Sequence, residues 1–175
     1  KGSAILYVRP DRQTGVRPLS ISHGAGATLP PGRSRFQAEL DWTGTFDPTA
    51  VLSMPRAIAC LEGLIEGGLA GLQRRNRRLA LEGRRILCEG LGVAPPAPEE
   101  MIGSLAAVPI PLPENETVEV PAEDDLRERL LERHAIEVFV QRWPSPRVRV
   151  VRISAQAYNR LDDYRALLEA LRTEV

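Results

Sequence analysis

Residues 147–159 have the sequence Arg-Val-Arg-Val-Val-Arg-Ile-Ser-Ala-Gln-Ala-Tyr-Asn. Within them the pattern changes from that of a strand to that of a helix start. Valine and isoleucine predominate over 147–153, which is typical of a strand. Asn159 favours the start of a helix, and residues 160–172 have the spacing of an amphipathic helix. The expected apolar face of that helix consists of Leu161, Tyr164, Leu168 and Leu171. This stretch therefore predicts a fold that mixes strands and helices.

The chain before this stretch shows the same alternation. Strands are expected over 104–110 and 136–142, with a helix over 123–134 that is acidic at its start and basic at its end, as the helix dipole favours. The strongest helical pattern covers 69–90, where a leucine or isoleucine recurs every seven residues. The second part of the chain is therefore expected to be a compact α+β unit with three strands and two or three helices.

The first part of the chain has a different pattern. Short apolar or alternating segments predict strands at 3–9, 19–22 and 36–40. These strands would belong to a larger sheet, so the pattern indicates a break in organisation near residues 66–70.

A helix is also expected in this first part. Asp47 is a good helix cap, and Pro48 suits the first helical position. Because Pro55 has no N–H group to donate, two short pieces are predicted, at about 48–53 and 55–66.

The composition is that of an ordinary globular protein. The 175 residues carry 23 basic and 23 acidic side chains, so the net charge gives no reason to expect nucleic acid or an anionic membrane as a partner. No apolar run approaches the roughly 18 residues that a membrane helix needs, and the first ten residues do not resemble a signal peptide. Cys60 and Cys88 lie in helical patterns and are expected to be buried free thiols, which favours a cytoplasmic location.

Several other features give weak signals. The arginine-rich run 74–78 has no interleaved aromatic residue and is expected to be a solvated helix face. His23 and His134 are far apart in the sequence, and their spacing to the cysteines does not suit a metal. The sequence contains no Gly-x-Ser-x-Gly elbow, P-loop or Rossmann glycine fingerprint.

A Thr-Gly-Thr turn at 43–45 lies just ahead of the first predicted helix. Its hydroxyl and backbone N–H groups would suit a phosphate, because a helix N-terminus favours an anion. A plain turn followed by a helix cap explains the same residues, and the residues alone favour that alternative.

Arg152 lies in a predicted strand between Val151 and Ile153, which point to the opposite face. An arginine is costly to bury unless it meets an anion, and its planar group suits a carboxylate held by two bonds. The residues alone leave two alternatives open, a bound carboxylate and a salt bridge to an acid of this chain.

Taken together, four segments resemble the class V aminotransferase family of pyridoxal-phosphate enzymes of fold type I, in particular its isopenicillin N epimerase-like branch. The four segments are residues 1–8, 41–48, 101–104 and 151–159. The resemblance covers nearly the whole chain, and the second and fourth segments are specific in this order and at this distance.

The resemblance implies a fold and a site. Residues 1–66 would be the C-terminal end of the large α/β cofactor-binding domain, and 67–175 would be the small C-terminal α+β domain. Gly44 and Thr45 would contact the phosphate of pyridoxal 5'-phosphate across a homodimer, and Arg152 would bind the α-carboxylate of an amino-acid substrate.

The resemblance also implies that essential residues lie outside this chain. The lysine that holds the cofactor as a Schiff base would lie just before residue 1, and Lys1 itself is not expected to be that lysine. The chain would then be an inactive fragment with no catalytic residue of its own, and its partner would be the missing N-terminal part or a second subunit. Residues 140–147 contain no cysteine, whereas cysteine desulfurases of the family carry one in that loop, so a desulfurase is not expected.

Two functions from different classes follow from the sequence. In the first, the parent protein is a pyridoxal-phosphate enzyme that epimerises, transaminates or eliminates from an amino acid. In the second, the chain is a non-enzymatic α+β module that binds a carboxylate or dimerises. The sequence leaves the substrate and the choice among the three reactions open.

Overall fold

The computed structural model describes residues 2–42, 44–112, 125–145 and 147–175. The contacts between Cα atoms divide the chain into two compact units, Lys1–Ala59 and Cys60–Val175. The assignment of 1–66 to a large domain and of 67–175 to a small domain stays a prediction.

The first unit contains short elements. Residues Pro10–Gly15 and His23–Ala25 form 3₁₀ helices. Helix α1 covers Arg35–Leu40, and helix α2 covers Thr49–Glu62 and begins in this unit. No strand is found among the described residues of the first unit.

The segment 36–40, predicted to be a strand, is helical. The Ser34 hydroxyl accepts a hydrogen bond from the backbone N–H of Gln37 at 3.2 Å. The Gln37 side-chain oxygen accepts one from the backbone N–H of Ser34 at 3.0 Å. This capping box satisfies two otherwise free donors and starts α1, so the strand prediction was wrong.

The predicted strands at 3–9 and 19–22 are also absent. Both segments carry large apolar side chains that are exposed, namely Ile5, Leu6, Tyr7, Leu19 and Ile21. A strand exists only when a neighbouring strand accepts and donates its backbone hydrogen bonds, and the described part of this unit offers none.

Helix α2 is continuous through Pro55 instead of being divided there. Proline leaves the carbonyl four residues earlier, that of Val51, without its usual N–H partner. Val51 is exposed, and α2 has no buried residue, so water can bond that carbonyl. The prediction of two separate pieces was therefore wrong.

The second unit is the α+β fold that the sequence predicts. Helix α3 covers Gly68–Leu91 and is followed by strand β1, Leu105–Ile110. Helix α4 then covers Leu126–His134, strand β2 Phe139–Arg142, strand β3 Arg149–Ser154 and helix α5 Leu161–Glu174. The three strands form an antiparallel sheet in the order β1-β3-β2.

One face of this sheet packs against the helices. Alternate residues of β1 and β3 point inward, which is the two-residue period expected of strands. The core brings these residues together with the apolar faces of α3, α4 and α5. It includes Leu79, Ala80, Leu87, Ala106, Val108, Ile110, Leu126, Leu130, Val151, Ile153, Leu168 and Leu171.

Helices α3 and α5 approach each other closely at two glycines. A Cβ atom on Gly83 would lie 2.6 Å from Cδ2 of Tyr164, and one on Gly90 would overlap the side chain of Leu168. Gly92 has φ +67° and ends α3, as the sequence indicates.

The start of α5 differs slightly from the prediction. The N-cap is Arg160, not Asn159, and the carboxylate of Asp163 accepts from the Arg160 backbone N–H at 3.1 Å. The predicted helix start at residues 123 and 124 lies outside the described residues. Among the helices that are described, none has the length and apolar character needed to cross a membrane.

Candidate functional site

Arg152 lies in the central strand of the sheet. In the register of β3, Ala107 of β1 is its partner on one side and Phe139 of β2 on the other. Its neighbours Val151 and Ile153 are buried in the core, whereas Arg152 is exposed on the opposite face. The alternation predicted from the sequence is therefore present, but the arginine is not buried.

The guanidinium group of Arg152 contacts an aromatic ring. Its Cζ atom lies 4.4 Å from the centre of the Phe139 ring, which is a cation–π distance. In the part of the chain that the structure describes, Arg152 is in no ion pair, so the alternative of a salt bridge to an internal acid finds no support there. The Arg152 side chain is exposed, so a ligand can reach it from solvent.

The residues that follow Arg152 are tied to α3. The Arg75 guanidinium donates to the carbonyl oxygens of Gln156 at 3.0 Å and Asn159 at 2.9 Å. The backbone N–H of Ala155 donates to the Ser104 carbonyl at 2.8 Å. These bonds fix the end of β3. The prediction that the run 74–78 is only a solvated helix face was therefore wrong for Arg75.

A cleft of about 580 Å³ opens where β1 begins and β3 ends. The buried Asn76 donates to the Gln156 side-chain oxygen at 3.2 Å in its wall. The residues that line the cleft are Leu72, Gln73, Arg74, Asn76, Arg77, Gly103, Ser104 and Gln156. Arg152 does not line it, so the cleft and the exposed arginine are separate features of this unit.

Gly44 and Thr45 belong to the first unit. Gly44 has φ +150°, a conformation that favours glycine, and a Cβ atom there would meet no described atom within 4 Å. Thr45 is exposed, and Thr43 lies outside the described residues. The turn is thus accessible to a ligand from solvent.

The start of α2 is already capped by Asp47. Its carboxylate accepts from the backbone N–H of Thr49 at 3.0 Å and from the Thr49 hydroxyl at 2.8 Å. These bonds lower the pKa of the Asp47 carboxyl, so the group is ionised at neutral pH. Because a second anion at this helix end would be repelled, a phosphate at the turn would bind through Thr45 and the loop N–H groups.

The remaining candidates carry no catalytic arrangement. Both cysteines are free, but only Cys88 is buried, and burial raises the pKa of its thiol. The prediction that Cys60 is buried was wrong, because α2 buries none of its residues. His23 is exposed, and His134 lies 3.0 Å from a carboxylate oxygen of Glu174. Among the described residues, no three metal-ligating side chains come together.

Two contacts at the candidate site could not be recognised from the sequence. Phe139 lies 13 residues from Arg152, and Arg75 lies 81 residues from Gln156. Only the strand register and the packing of α3 bring these residues together. An aromatic residue in a strand close to a solvent-facing arginine is too common a pattern to signal such a contact.

The comparisons with known proteins point to one kind of relative. No protein-family model matches the chain. It is 30% identical over 182 aligned positions to the probable L-cysteine desulfhydrase, chloroplastic, of Arabidopsis thaliana, which covers 96% of this chain and 35% of that protein. It is also 30% identical over 169 positions to the putative L-cysteine desulfhydrase 1 of Oryza sativa subsp. japonica, which covers 86% of this chain and 32% of that protein.

The extent of the match differs between the chain and its relatives. The chain spans about a third of the length of these two curated proteins. Over most of its own length, it is similar to two plant proteins named as L-cysteine desulfhydrases.

Proposed function

We propose that this chain is part of a pyridoxal-phosphate-dependent lyase that acts on an amino acid of the cysteine type. The names of its relatives support a desulfhydrase, an enzyme that releases sulfide from L-cysteine. Enzymes with that activity use pyridoxal phosphate, which agrees with the cofactor expected from the sequence. The similarity covers 96% of the chain and favours an enzyme over a stand-alone binding module.

Within this chain, Arg152 is the main support for the proposal. Its side chain is exposed on the central strand, and its guanidinium carbon lies over the Phe139 ring. A planar guanidinium donates two parallel N–H bonds to a carboxylate, which fixes the orientation of the carboxylate as well as its position. Arg152 would bind the substrate α-carboxylate and so orient the Cα–H bond for cleavage.

Gly44 and Thr45 of the first unit would contribute to the cofactor site. Gly44 leaves the turn open, and the exposed Thr45 hydroxyl can donate to a phosphate oxygen. These residues fit one edge of a phosphate site, which other parts of the enzyme would complete across a homodimer, as the class V resemblance implies. When bound, pyridoxal phosphate supplies the electron sink that makes bond cleavage at the substrate Cα feasible.

The choice of reaction rests on the residues of the 140–147 segment and on the names of the relatives. Elimination of sulfide from cysteine needs no cysteine nucleophile in the protein, and none is present in the 140–147 segment. A lyase is therefore favoured among the three reactions that the sequence left open. The isopenicillin N epimerase-like branch, the class V assignment and the cytoplasmic location stay predictions.

The test of this proposal is a product analysis. The protein expressed from its complete reading frame is incubated with pyridoxal phosphate and L-cysteine, and sulfide, pyruvate and ammonia are quantified. We expect the three products in equal amounts, and we expect their formation to depend on the cofactor after dialysis. Alanine in place of pyruvate, D-cysteine, or no consumption of L-cysteine would contradict the proposal.

A further inference from the structure

Phe139 lies against Arg152 on the outer face of the sheet. It occupies the β2 position directly opposite Arg152 in the sheet register, and its ring lies 4.4 Å from the guanidinium carbon. It does not belong to the hydrophobic core, and its side chain is 41% exposed on the outer face. Its ring is therefore more exposed than the apolar side chains of the core.

The contact with Phe139 limits the rotamers of Arg152 and still lets a ligand reach its guanidinium group. A guanidinium group carries five N–H donors, so a cation–π contact with one ring leaves donors available for a carboxylate. On the other side of Arg152 the register partner is Ala107, whose small side chain leaves room for a ligand. Among the described residues, no acid forms an ion pair with Arg152 that would compete for these donors.

A long arginine side chain that is free in water samples many rotamers. Binding a carboxylate would have to select one of them, and the lost freedom weakens binding. A ring beneath the guanidinium selects that orientation before the ligand arrives. Preorganisation of this kind raises affinity without adding any contact to the ligand.

We propose that Phe139 is a positioning residue that preorganises Arg152 to bind the substrate carboxylate, an inference that rests on the proposed function above. The benefit belongs to substrate binding, because Phe139 acts only through the arginine. Removal of the ring should therefore raise KM and leave kcat nearly unchanged.

The test is a double-mutant cycle in the protein expressed from its complete reading frame, with L-cysteine as the substrate. Phe139→Leu keeps an apolar side chain but removes the ring, and we expect KM to rise about two- to fivefold. Phe139→Tyr keeps the ring and should restore the wild-type KM. In an Arg152→Ala background, Phe139→Leu should have no further effect.

A spectroscopic measurement gives a readout that does not depend on turnover. In protein labelled with ¹⁵N-arginine, the Nε–H resonance of Arg152 is assigned by its loss in Arg152→Lys. The ring current of Phe139 should shift this resonance, so it should move in Phe139→Leu and not in Phe139→Tyr.

The outcomes separate this inference from the proposed function. If Arg152→Ala weakens catalysis but Phe139→Leu leaves both KM and the resonance unchanged, Phe139 is not a positioning residue and the proposed function stands. An equal effect of Phe139→Leu with and without Arg152 would also overturn the inference. If Arg152→Ala itself has no effect on kcat/KM, the role of Arg152 fails and this inference fails with it.

Discussion

At the scale of single residues, the arginines of the second unit differ in what their guanidinium groups contact. Arg84 is buried and donates to the Ala97 carbonyl at 2.7 Å, and Arg75 donates to two carbonyls beyond β3. Arg152, in contrast, lies over Phe139, and within the described ranges of the chain it forms no ion pair. A planar group with five donors can join segments in ways that a lysine cannot, and the chain has only one lysine among its 23 basic residues.

The place of Arg152 in a strand between two core-facing residues was predictable from the sequence, whereas its surroundings were not. The residues alone left a bound carboxylate and a salt bridge equally open, and the resemblance to class V aminotransferases implied the carboxylate. The sequence could not show that the side chain is exposed, since exposure depends on what packs against that face of the sheet. Gly44 and Thr45 were predicted as a phosphate turn, and their role stays a prediction.

Glu174 joins the end of α5 to α4 by charged hydrogen bonds. Its carboxylate lies 3.0 Å from His134 Nε2 and accepts from Arg129 at 2.8 Å and from Arg133 at 3.2 Å. The hydrogen bond to His134 is the main cause that lowers the pKa of Glu174 below its ordinary value of 4.5. A carboxyl with a lowered folded-state pKa stabilises the fold above its ordinary pKa, and this stabilisation is lost as pH falls through the folded-state value.

We predict that Glu174→Gln is less stable than the wild type at pH 7 and loses less of its stability between pH 7 and pH 3. The free energy of unfolding would be measured by urea titration at several pH values. Glu169→Gln, an exposed glutamate on the same helix, is the matched control and should follow the wild-type profile. Parallel profiles for Glu174→Gln and the wild type would refute the role of this carboxylate.

At the scale of the elements, the structure agrees with the sequence where the periodicity is strong or the strand is buried. Helices α3 and α5 and strands β1 and β3 lie within a few residues of their predicted bounds. Helix α1 was missed because it is only six residues long and its signal is the capping pair Ser34 and Gln37, not its apolar spacing. The segments 3–9 and 19–22 have strand-like composition, but a strand also needs a partner, which a local pattern does not contain.

The contact between α3 and α5 gives a prediction about packing. Gly83→Ala would place a methyl group 2.6 Å from the Tyr164 ring, and the Tyr164 hydroxyl is held by a 3.0 Å bond to the Ser154 carbonyl. Since the ring cannot move freely, we expect a loss of about 1–3 kcal/mol in the free energy of unfolding, despite the better helix propensity of alanine.

Urea unfolding of the variant measures this loss. The control is Gly15→Ala, where a Cβ atom would meet no described atom within 4 Å, and its effect should stay below about 0.5 kcal/mol. Gly83→Ala with wild-type stability would mean that α3 and α5 do not pack as closely as the structure indicates.

At the scale of the whole molecule, the chain contains a folded α+β unit and a first unit with much exposed apolar surface. The chain also spans only about a third of its curated relatives. The exposed residues Ile5, Tyr7 and Ile21 occupy the segments that the sequence assigned to a larger sheet. Apolar surface of this kind favours association with another protein surface.

We therefore predict that the 175-residue chain, produced alone, associates with itself. Size-exclusion chromatography with light scattering should give a mass above 19.3 kDa that increases with concentration. Replacing Ile5 and Ile21 by Ser should reduce the association, because it removes exposed apolar surface without touching the core. A stable monomer at all concentrations would contradict the prediction.

The central claim is that Arg152 binds the carboxylate of the substrate, and steady-state kinetics with L-cysteine tests it most directly. In the protein expressed from its complete reading frame, Arg152→Ala should lower kcat/KM about ten- to a hundredfold, the value of a charged hydrogen-bonded contact. The kcat/KM of Arg152→Lys should lie between the values for Arg152→Ala and the wild type. Arg78→Ala, which replaces an exposed arginine on α3, should have the wild-type kcat/KM. A kcat/KM for Arg152→Ala within twofold of the wild-type value would contradict the claim.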